Sequence, residues 1–96
     1  MDVIVAKLIS GEIVIGENKG EFIDNVGLLQ IIPDMNGSMQ IAILPYGFPL
    51  EEKFTAKISN KYIIYIYSEY DPKIKQEYLK VKTGLTIVDS MPKDLN

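Results

Sequence analysis

Glu51 and Glu52 form the only adjacent acidic pair in a chain of 96 residues that contains neither cysteine nor histidine. Neighbouring carboxylates in a loop do not make the opposed acid and base that general acid/base catalysis needs. Without histidine the commonest general base and metal ligand is missing. Without cysteine, thiol chemistry and disulfides are excluded. Gly11 and Gly16 enclose four residues, but no Lys-Ser/Thr follows, so the spacing does not make a phosphate loop. Carboxylates can hold a hard cation, yet none of them cluster with loop-type ligand spacing. The expectation is a protein that is not an enzyme and carries no cofactor or metal.

What remains is charge. The net charge is −3, and all ten basic residues are lysine. Residues 1–52 hold eight acids against Lys7 and Lys19, a balance of −6; residues 53–96 hold eight lysines against five acids, a balance of +3. Lysine neutralises phosphate as a point charge but lacks the planar fork of arginine. The late lysines Lys73, Lys75, Lys80 and Lys82 read either as a basic surface for phosphate or as the wet side of an amphipathic helix.

The elements that would carry these residues are mostly strands. Residues 3–9 are rich in β-branched side chains, and Ser10-Gly11-Glu12 supplies a hairpin turn before the strand resumes at 13–16. Gly16, at the end of that strand, signals a bulge or sharp bend. Further strands are expected at 22–32, 39–44, 53–58 and 62–70, with a short one at 85–88. The 22–32 and 39–44 strands are joined by a tight turn at Asn36-Gly37. In 53–58, Phe54, Ala56 and Ile58 alternate with Lys53, Thr55 and Lys57, the pattern of a half-exposed strand. Then the period changes. Asp71 can cap a helix begun by Pro72 and ended by Gly84, and Ile74, Tyr78 and Val81 form one apolar stripe along it.

The fold class is therefore mainly β: a small, strongly bent antiparallel barrel, closed or nearly closed, of five to six strands with one helix at about 72–83. Residues 1–90 form a single domain and 91–96 a frayed tail. Two strands apolar on both faces imply that subunits bury one another's surfaces. The opening "MDVIVAKLIS" is interrupted by Lys7 and is too short to span a membrane, and it lacks a signal peptide's positive start and cleavage site. A cytoplasmic location is expected, with no membrane partner.

Two segments carry a resemblance. Leu8-x-x-Gly11-x-x-x-x-Gly16 resembles the first motif of the Sm/LSm family, with its leucine, hairpin glycine and glycine in the bent second strand. "KISNKYIIYI", 57–66, resembles the second motif, an apolar strand end, a polar turn and a further apolar strand. Ser59-Asn60 stands where that family has arginine-glycine, and no N-terminal helix precedes the first strand. The likeness is nearest to Sm-like ring proteins of phage type. It implies an Sm-like barrel, closed into a cyclic homo-oligomer by edge-strand pairing, in the host cytoplasm if phage-encoded.

By that resemblance the chain binds single-stranded RNA or DNA and serves in its processing. Contacts would come from the turn Ser59, Asn60, Lys61 and the loop Asn18-Lys19. Asn60 would meet a base edge, Lys57 and Lys61 phosphate, and Tyr62 would stack on a base. The alternative is a structural or adaptor ring that meets another protein and no nucleic acid, to which the acidic first half and the missing arginine point.

Overall fold

The computed structural model describes residues 2–84; the expected strand at 85–88 and the 91–96 tail lie outside the described residues. Six strands run in chain order, β1 Val3–Leu8, β2 Ile13–Asn18, β3 Phe22–Pro33, β4 Met39–Pro45, β5 Ile58–Ser59 and β6 Ile63–Ile66, followed by the helix α1 Pro72–Thr83. All strand pairings are antiparallel. The mainly β architecture with one late helix is as the sequence reading has it.

Local chemistry explains the first turns of the chain. Gly11 takes φ +95° in the β1–β2 hairpin, a left-handed conformation that glycine reaches without steric cost. Gly16 serves differently. A β-carbon there would lie 2.5 Å from Ile23 Cγ2 and 2.9 Å from the Asp24 carbonyl oxygen. The β2–β3 register slips between Ile15 and Glu17, so the missing side chain lets the two backbones close at a bulge.

The sheet is ordered β4-β3-β2-β1-β6. The 12-residue β3 takes two successive partners along one edge. Its start pairs with β5, Phe22 opposite Ser59, and its remainder pairs with β4 from Gly27–Pro45 to Pro33–Met39. Residues 46–57 leave the sheet between these partners, anchored at Val26, whose carbonyl accepts from Tyr46 N–H and whose N–H donates to Ala56.

A 3-10 turn at Asn60–Tyr62 then carries the chain from β5 beside β3 to β6 beside β1. The loop around the bend is thus completed by the covalent chain. Among the described residues the ladder itself is open, in contrast to a fully closed barrel, with β4 and β6 at its ends.

Bending gives the sheet two apolar sides. Val3, Val5, Ile15, Leu29 and Ile43 pack under Tyr78 of α1. Ala6, Leu8, Val14, Ile23 and Val26 fill the inside of the bend, with Ala56, Ile58 and Ile63 against them. Burial on both sides explains why strands such as β1 lack polar alternation. It covers only part of the apolar sequence. Ile31 and Ile32 in β3, Met39 and Ile41 in β4, and Ile64, Tyr65 and Ile66 in β6 remain exposed.

Two expected strands are shorter in the structure. In 53–58 only Ile58 reaches a ladder, although the predicted facing holds: Phe54, Ala56 and Ile58 are half-buried while Lys53, Thr55 and Lys57 are exposed. In 62–70 only Ile63–Ile66 is strand. The helix keeps its expected bounds. Asp71 accepts from the Lys73 N–H at 3.0 Å, and Gly84, at φ +77°, donates back to Lys80 and Val81, a left-handed C-terminal cap.

Candidate nucleic-acid interface

The β2–β3 loop and the turn after β5 come together at one end of the sheet. Lys19 N–H donates to the Phe22 carbonyl at 2.9 Å, and the Asn18 side-chain oxygen accepts from Gly20 N–H at 3.0 Å. Asn18 also donates through Nδ2 to Asp2 at 3.1 Å. These bonds make a tight loop tied back to the start of β1.

Asn60 fastens the turn onto that loop. Its N–H donates to the Glu21 carbonyl at 3.0 Å, and its Nδ2 to the Gly20 carbonyl at 2.6 Å. Ser59 Oγ accepts from Lys61 N–H at 3.3 Å, an N-terminal cap on the 3-10 turn. On the far side, the Tyr62 carbonyl accepts from Ile9 N–H at 2.8 Å. The turn is held from both flanks.

The seven candidate residues therefore share one end of the molecule but divide by role. Asn18, Ser59 and Asn60 use side-chain groups to build the scaffold. Lys61 and Tyr62 project outward, Tyr62 with 49% of its surface exposed. Lys57 sits 5.0 Å above the Phe22 ring, a cation–π placement that leaves an exposed ammonium near the loop. Lys19 lies 3.6 Å from Glu17. Three lysines and a tyrosine thus surround a rigid turn, with the exposed Glu21 among them. This geometry suits phosphate and stacking contacts better than base reading by Asn60, because an amide N–H of that residue already bonds to Gly20.

A different cluster, absent from the sequence reading, ties α1 to the sheet. Glu17 is 7% exposed, and its Oε2 accepts from Lys82 Nζ at 2.5 Å and from Asn25 Nδ2 at 3.0 Å. The Lys82 and Asn25 hydrogen bonds hold the Glu17 carboxyl below the usual carboxylate range, against an opposing push from burial. Asn25, at φ +51°, accepts at its carbonyl from Tyr78 OH at 2.6 Å. Burial pushes the Tyr78 hydroxyl upward. Lys82 therefore leaves the expected basic surface of α1, where Lys73, Lys75 and Lys80 remain exposed. The only sequence signal was an acid directly after the bulge glycine in an otherwise apolar strand.

Near the β1–β2 hairpin, Tyr46 OH and Ser10 Oγ both donate to Glu12 Oε1, at 2.7 and 3.0 Å. The hydrogen bond to Glu12 raises the Tyr46 hydroxyl above its ordinary value. With both hydroxyls donating to one carboxylate oxygen, the trio braces the loop after β4. Glu51 and Glu52 are exposed in irregular chain. Among the described residues, no three potential metal ligands converge, and no helix is long and apolar enough to cross a membrane. No protein-family model matches the sequence, and no curated protein matches it.

Proposed function

We propose that this chain is the subunit of an Sm-like homo-oligomeric ring that binds single-stranded nucleic acid, RNA foremost, and acts in its processing. The observation that carries the reading is the joint of the Gly20 loop and the Asn60 turn, which sets Lys19, Lys57, Lys61 and Tyr62 around one rigid point. Assembly follows from the two ladder edges, β4 and β6, each bearing exposed apolar side chains. An unpaired edge exposes backbone donors and acceptors that another copy can satisfy. Repeated around a ring, individually weak contacts gain strength through effective concentration.

Labelled oligo-U and oligo-A in fluorescence polarisation test the ligand. Binding at low salt that weakens as salt rises is expected, because lysine–phosphate contacts release counterions. Tyr62→Ala should weaken it by ~1–3 kcal/mol, the worth of one base stack. No binding at low salt refutes nucleic acid as the ligand.

A second reading, a ring that joins another protein, draws on the side-chain bonds already made by Asn60 and Ser59 and on the exposed Phe48 and Leu50 after β4. Co-purification of a protein partner that survives nuclease treatment would favour it.

A further inference from the structure

A single carboxylate joins α1 to the candidate interface. Glu17 follows the bulge glycine of β2, and each of its oxygens faces a lysine. Oε2 accepts from Lys82 Nζ at 2.5 Å and from Asn25 Nδ2 at 3.0 Å. Oε1 has Lys19 Nζ at 3.6 Å, too far for a hydrogen bond. The two lysines also differ in exposure, with 17% of the Lys82 side chain open to solvent against 47% for Lys19. Lys82 is thus committed inside the molecule. The Lys19 ammonium stays in water, beside the loop that Asn60 fastens at Gly20.

We propose that Lys82 is a positioning residue for nucleic-acid binding: by holding Glu17 from the α1 side, it leaves Lys19 for phosphate. The proposal rests on the nucleic-acid reading above and gives a role to a residue outside the interface. One carboxylate between two ammonium groups leaves a net charge of +1. Without Lys82, Glu17 and Lys19 sum to zero. Glu17 has only 9% of its side chain exposed, and opposite charges attract more strongly where water is scarce. Lys19 then closes its gap to Oε1 and is withdrawn from phosphate. Its flexible stem allows this, while its backbone stays fixed by the 2.9 Å bond from its N–H to the Phe22 carbonyl. The depressed Glu17 carboxyl agrees: the Lys82 and Asn25 hydrogen bonds lower it most, burial opposes them, and the charge of Lys19 contributes least.

Salt titrations of labelled oligo-U binding, read by fluorescence polarisation, test this. For single strands, the slope of log affinity against log salt falls by about 0.7 for each phosphate contact removed. Lys82→Met should flatten the plot by that amount for each engaged subunit, and Lys19→Met should do the same. The two together should flatten it no further than either alone, because both remove one contact. Glu17→Gln added to Lys82→Met should restore the wild-type slope, since no carboxylate then competes for Lys19. A merely structural role for Lys82 would lower the active fraction and leave the slope as it was.

A wild-type slope in Lys82→Met overturns the proposal and leaves nucleic acid as the ligand. A further fall in the Lys19→Met/Lys82→Met variant means that Lys82 meets phosphate itself, which overturns it as well. A wild type that binds no oligo-U at low salt removes the nucleic-acid reading and this proposal with it. Should circular dichroism show Lys82→Met unfolded, Lys82→Gln replaces it with the same expected slopes, because its amide can still donate to Glu17 without carrying a charge.

Discussion

Lys82→Met removes an ammonium group from the Glu17 carboxylate and keeps most of the side chain's length. In the native protein that carboxylate receives Lys82 and Asn25 on one oxygen, with Lys19 3.6 Å from the other. Breaking a buried ion pair by deleting one partner costs ~3–5 kcal/mol when the remaining charge has no other support. Asn25 and Lys19 still support Glu17, so the expected loss falls to ~2–3 kcal/mol, nearer the worth of one charge-assisted hydrogen bond. For a domain of this size that lowers Tm by roughly 10–20 °C.

The pH dependence follows from the depressed Glu17 carboxyl. The unfolded chain takes up the proton first as pH falls, so the stabilisation is full above the ordinary carboxylate value of 4.5. It is lost as pH drops below that value and through the lower folded one. Urea unfolding followed by circular dichroism, at neutral and acidic pH, measures both effects. Lys82→Met should be markedly less stable at neutral pH and should close the gap to wild type in acid. Glu17→Gln added to Lys82→Met should recover part of the loss. A loss under ~0.5 kcal/mol with an unchanged acid profile, as for an exposed pair, would refute the claim that this pair fastens α1.

Two further variants probe the scaffold. Gly16→Ala should destabilise by ~1–3 kcal/mol in urea melts, since its β-carbon meets the Asp24 carbonyl and Ile23 in a packed bulge. Tyr78→Phe should cost ~1–2 kcal/mol by leaving the Asn25 carbonyl without its 2.6 Å donor, while the ring keeps its packing and the helix its circular-dichroism signal.

The elements legible in the sequence are those whose signals are local. Asp71, Pro72 and Gly84 bound α1 through contacts within a few residues, and the β1–β2 hairpin is written in Gly11. Alternation predicts which way a side chain faces, and it did so from Phe54 to Ile58. It does not say whether the backbone has a partner, so the expected 53–58 strand shrinks to a short ladder at β5. Apolar character on both faces has two origins that periodicity cannot separate: in β1 the helix and the bend cover both sides, whereas in β6 Ile64 and Ile66 stay exposed. The two segments of the candidate interface were legible as loops, because turn residues mark them, and only the family resemblance joined them as one site; the Asn60–Gly20 bond that brings them together spans 40 positions. Glu17 and Lys82 lie 65 positions apart, and no local pattern links them.

In the proposed ring, the β4 and β6 edges join copies of this chain. Light scattering of the wild-type protein across a range of concentrations measures that directly. A discrete mass of several 10.8 kDa subunits is the predicted result. A mass of one subunit at every concentration would contradict it.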